Sequence, residues 1–126
     1  MTYLSDLKTP KPEEIEIPSE LTQVKEEGQV IVHGYINAWK NTIRIHPNTY
    51  LICKQTGKKV KLLHFYNIAP YPQWKEITRF EKFTLVFSGL PKDCKSFDFL
   101  EKLNEPNVFE RYDIARNKSD VYTLIF

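Results

Sequence analysis

The chain has 126 residues, of which 41% are hydrophobic and 13% aromatic, and its 18 basic and 16 acidic side chains leave a formal net charge of +2. That size fits a single domain whose core needs no metal or disulfide staple. Composition excludes collagen-like, coiled-coil and disulfide-dense classes, and no apolar run nears the ~20 residues of a membrane-spanning helix, so no membrane partner is expected.

Residues 1–28 read as an acidic leader. Three lysines against seven carboxylates give it a net −4, which leaves +6 on the rest. Pro10, Pro12 and Pro18 break any regular helix there. Residues 19–27 fit either a short amphipathic helical turn that ends at Gly28 or an extended segment along a sheet. Residues 29–126 are expected to form one β domain. Residues 29–38 are β-branched and aromatic, with Val30, Val32, Gly34 and Ile36 on one face. Residues 42–45 alternate, with Ile43 and Ile45 inward. Residues 48–53 and 59–66 form a hairpin around a turn in which Gly57 supplies a positive φ. Pro70 and Pro72 predict an irregular crossing.

Residues 80–87 give the clearest strand, with Phe83, Leu85 and Phe87 on its core face. Strands are also expected at 96–101, 107–114 and 121–126, the last two joined by the polar turn 116–120. Short strands between turn signals, with no long helical pattern, predict an all-β fold, an antiparallel sandwich or small barrel of about seven strands. The strand 121–126 is apolar on both faces, so it is expected to be central, or covered by a partner or a second copy.

The run Thr49-Tyr-Leu-Ile, the turn Thr56-Gly-Lys-Lys-Val-Lys-Leu-Leu63, and the strands Phe83-Thr-Leu-Val-Phe-x-x-Leu-Pro-Lys92 and Phe97-Asp-Phe-Leu-Glu101 form a pattern. Across residues 49–126 it resembles a loose group of bacterial immunoglobulin-like β-sandwich domains, most without an assigned function. Where those domains carry an acidic residue after Tyr-Leu, this chain has Cys53-Lys54, so no acidic role transfers. The resemblance implies a sandwich with a structural or interaction role, and fold by itself does not license a function.

Motifs for chemistry are sparse. His33, His46 and His64 lack the close spacing of a metal set, and no metal or cofactor is expected. There is no phosphate-cradling glycine motif and no nucleophile elbow. The opening residues 1–8 lack a basic segment followed by an apolar one, which suggests a cytoplasmic chain. In that compartment Cys53 and Cys94 would be buried thiols. Lys54, Lys58, Lys59 and Lys61, with Tyr66, Tyr71 and Trp74 as stacking rings, suggest single-stranded nucleic acid as one alternative partner. A small molecule or sugar stacked on Trp39, Trp74 and Tyr71 is the other.

The leading expectation is a non-enzymatic protein-interaction module of a bacterial cytoplasmic complex. It would bind a protein partner or self-associate as a homodimer. Its candidate binding residues are Tyr71, Trp74, Trp39, Lys75 and Arg79, because aromatics in nonregular stretches anchor interfaces. The competing reading makes Trp39 and Trp74 plugs at the two ends of the sandwich.

Overall fold

The computed structural model describes residues 28–101 and 109–126. The expected leader through residue 27, with its 19–27 turn, lies outside them, as do residues 107 and 108 of the strand expected at 107–114. The described residues form ten strands: β1 (Gln29–Tyr35), β2 (Lys40–Ile45), β3 (Tyr50–Cys53), β4 (Lys59–Tyr66), β5 (Ala69–Pro70), β6 (Lys75–Thr78), β7 (Phe83–Ser88), β8 (Ser96–Leu100), β9 (Glu110–Ala115) and β10 (Val121–Ile125). Seven of them make one sheet in the order β10-β1-β7-β4-β3-β8-β9, and a small sheet is ordered β5-β2-β6.

The core follows from alternation. Val30, Val32, Phe83, Leu85, Phe87, Leu51, Phe97 and Phe99 are fully or almost fully buried on the inner face of the large sheet. Ile43, Ile45 and Ile77 of the small sheet join the same cluster. The small sheet therefore covers the inside of the large one. Each such side chain contributes roughly 1.5–3 kcal/mol by leaving water. Gly34 is opposite Phe83 in the β1–β7 ladder. A Cβ on Gly34 would collide with the Phe83 ring, so the glycine makes room for the aromatic.

The large sheet curls until its two edge strands approach. Tyr122 of β10 packs edge-on against Phe97 of β8 at 5.0 Å, and Phe126 lies 4.6 Å from Phe109, just before β9. The Arg116 guanidinium, paired with Asp120, donates to the carbonyls of Pro91 and Cys94 at 2.8 and 3.0 Å. The Tyr122 hydroxyl accepts from the Asn117 N–H and donates to Asp120. Burial pushes this phenol up to about 12.

Three sequence expectations are corrected here. The large sheet is mixed, because β10 runs parallel to β1, where an antiparallel sandwich was expected. β10 is an edge strand, not a central one. Its apolar pattern has a local cause, since Tyr122 and Phe126 serve the core while Val121 and Ile125 are exposed. Finally, Cys53 and Cys94, expected as buried thiols, are bonded to each other as a disulfide. The crossing expected at Pro70 and Pro72 holds two short strands, β5 and β6, on either side of a cis Tyr71–Pro72 bond. Pro70 fits there because β5 is an edge strand.

Candidate interaction surface

The small sheet organises the aromatic residues singled out in the sequence. Its β2–β6 ladder pairs Ile43 with Lys75 and Asn41 with Ile77. Carried one step past each end, this register sets Arg44 across from Trp74 and Trp39 across from Arg79. The Arg79 N–H donates to the Trp39 carbonyl at 3.2 Å, which fixes the second pair.

At one end, the Arg44 guanidinium lies 3.9 Å from the Trp74 ring centroid and 4.5 Å from that of Tyr71. It also donates to the Pro72 carbonyl at 3.2 Å. Tyr71 is anchored by its own N–H, which donates to the Ile45 carbonyl at 2.9 Å, and its ring lies 5.5 Å from His46. The alternation that buries Ile43 and Ile45 turns Arg44 away from the core. Trp74 and Tyr71 nevertheless remain 57% and 40% exposed. The result is a planar cation held against two rings on the outside of the molecule, a stacked arrangement in which arginine loses little freedom.

At the other end, Arg79 lies 4.9 Å over Trp39 and 5.5 Å over Phe80, and the two rings meet edge to face at 5.3 Å. Trp39 is 68% exposed, so neither tryptophan plugs the fold. This second cluster lies past the opposite end of the β2–β6 ladder from the first. The five sequence candidates thus separate. Tyr71 and Trp74 come together, Trp39 and Arg79 form a distinct pair, and Lys75 belongs to neither. Lys75 is half-buried on the side of Ile43, and its ammonium donates to the Glu76 carbonyl.

Arg44 and Phe80 were not among the sequence candidates. The signal for Arg44 was present in Thr42-Ile-Arg-Ile45, where alternation turns it outward. What was missing was the register that brings Trp74 to it.

The other candidate chemistry disperses. His33 is half-buried on β1 and hydrogen-bonds Thr84 at 2.8 Å; burial, and then the charge of Lys82, lower its pKa to about 4. His46 accepts from the Asn48 N–H, and His64 is exposed on β4. Among the described residues, no three His, Cys, Asp or Glu side chains gather as a metal set, and no helix is long and apolar enough to cross a membrane. Tyr66 stands on β4 in the large sheet, while Tyr71 and Trp74 flank the small one. Several basic residues act internally. Lys54 bridges Asp98 and Asp113 at 3.5 and 3.4 Å, Lys59 covers Tyr50, and Arg111 and Arg116 hold backbone carbonyls.

Compared with protein-family models, with curated proteins and with solved structures, the chain shows no significant match.

Proposed function

We propose that the chain is a non-enzymatic protein-interaction module and that the Arg44–Tyr71–Trp74 cluster is its docking surface. The observation that carries this reading is the exposure of two aromatic rings already ordered by one arginine. Tryptophan, tyrosine and arginine are the residue types that dominate binding energy at interfaces. Preordering them lowers the entropy lost on association. The immunoglobulin-like kinship suggested by residues 49–126 belongs to the same proposal, as a β scaffold that presents an aromatic crossing.

A separate protein partner is favoured over self-pairing along β10. Asp120 and Phe126 bond to β1, so the intervening Val121 and Ile125 carbonyls face the free edge. Those carbonyls already accept from the Asn117 and Arg111 side chains at 3.0 and 2.6 Å. Such a capped edge is a poor template for another strand.

The test is quantitative affinity capture with wild type, Trp74→Ala and Arg44→Ala, followed by titration of the purified captured protein. A protein that binds wild type and loses tenfold or more in affinity with both variants, at unchanged melting temperature, supports the reading. Equal binding by all three chains contradicts the surface. Recovery of nucleic acid that dissociates steeply with salt, or of a sugar alone, contradicts the partner class.

A further inference from the structure

Cys53, at the end of β3, and Cys94, in the turn before β8, are joined across a sequence separation of 41. We propose that this bond is a native structural cystine and that the chain therefore completes its folding in an oxidising compartment.

The backbone holds the pair in place without help from sulfur. Their Cα atoms are 5.9 Å apart, within the range a cystine takes. The Lys54 N–H donates to the Ser96 carbonyl at 2.9 Å. The side chain of Gln55 straps the two turns together. Its Oε1 accepts from the N–H groups of Lys95 and Ser96 at 2.9 and 3.1 Å, and its Nε2 donates to the Ser96 hydroxyl at 3.1 Å. Within its own turn, the Cys53 N–H donates to the Lys58 carbonyl and the Cys53 carbonyl accepts from Gly57. The Cys94 N–H donates to the Pro91 carbonyl, and Arg116 holds the Cys94 carbonyl from the other side. Both cysteines are thus delivered to one point by turns that are fixed independently.

Burial separates a structural bond from a working redox pair. Cys53 and Cys94 are 1% and 3% exposed and belong to the hydrophobic core. Exchange chemistry needs an accessible thiolate in an electropositive setting. A core cystine is closed to such exchange once the domain has folded. Forming it removes two protons and two electrons from the two thiols. A small-molecule disulfide or a thiol–disulfide oxidoreductase accepts the electron pair and leaves as two thiols. Cytosolic chains are kept from this state by reducing thiol pools, whereas extracytoplasmic ones reach it routinely.

The test begins in the cells that make the protein. They are quenched in acid, denatured, and labelled with a maleimide-linked polymer before and after reduction. No adduct before reduction and two after is the expected result. One or two adducts on most of the chain before reduction overturns the proposal. With the purified full chain, a reductant is expected to lower the melting temperature by roughly 10–20 °C. The Cys53→Ala, Cys94→Ala double variant is expected to melt near the reduced wild type and to ignore reductant. Equal melting of oxidised and reduced wild type overturns the structural role, and this comparison stands even where the double variant does not fold.

Discussion

The guanidinium of Arg111 lies 4.6 Å over the ring of Phe126 while donating to the neighbouring Ile125 carbonyl at 2.6 Å. Arg111 is on β9 and Phe126 directly follows β10, the two edges of the large sheet. One side chain therefore spans the gap that a backbone ladder would close in a full barrel. Replacing Arg111 by Ala removes a charged hydrogen bond and a cation–π contact, at a cost of about 2 kcal/mol. Urea titration measures it, and amide exchange should quicken selectively along β10. A loss below ~0.5 kcal/mol would mean that β10 is held by β1 and the core alone.

Gly34 and Phe83 form a second coupled pair. Gly34→Ala drives a methyl group into a ring with no free space, with an expected cost of about 2–3 kcal/mol. Phe83→Leu creates a cavity of its own. The double variant should be less destabilised than the two single effects added together, because each change accommodates the other. Additive melting data would show that the ring moves aside without strain.

Thr49 is fully buried, and its hydroxyl has no hydrogen-bond partner among the described residues. Thr49→Val keeps the shape and removes an uncompensated polar atom. Stability should rise by about 1 kcal/mol, read from the urea midpoint at unchanged slope. A loss of similar size would reveal a partner for the hydroxyl.

His33 gives the fold a pH dependence of definite sign. Its folded pKa, lowered to about 4, is below the ordinary 6.5, so the unfolded chain takes up the proton first as pH falls. The stability that depends on neutral His33 is intact above about pH 6.5, declines below it, and is lost completely beneath about pH 4. Discounted for partial solvent screening, the effect is about 1–2 kcal/mol. The difference between wild type and His33→Gln, followed by denaturation from pH 7 to pH 4, isolates it. A difference that does not vary with pH contradicts the assignment.

The readable parts of the sequence were those in which one strand reports its own environment. Val30, Val32 and Gly34, or Phe83, Leu85 and Phe87, show their buried face through alternation alone, and Gly57 marks its turn by its positive φ. Parts that depend on distant neighbours were not readable. The four residues of β6 bury only Ile77, too little for a visible period. The pairing of β10 with β1 is parallel and joins the two ends of the described chain, which no local signal encodes. Cys53 and Cys94 were assigned as thiols from an expected compartment, and only the folded turns bring them together. Tyr71 and Trp74 stood out as aromatics near prolines, but the arginine that orders them comes from a strand about thirty residues earlier.

Site-specific photo-cross-linking in the producing cells tests the proposed docking surface most directly. A photoreactive amino acid is placed at position 73, an exposed residue beside Trp74 that leaves the cluster intact, and a control is placed at position 118, an exposed residue of the β9–β10 turn. The expected result is one discrete protein adduct from position 73 that is absent from position 118 and abolished by Arg44→Ala. No protein adduct at position 73, or the same adducts from both positions, would contradict a docking surface built on Arg44, Tyr71 and Trp74.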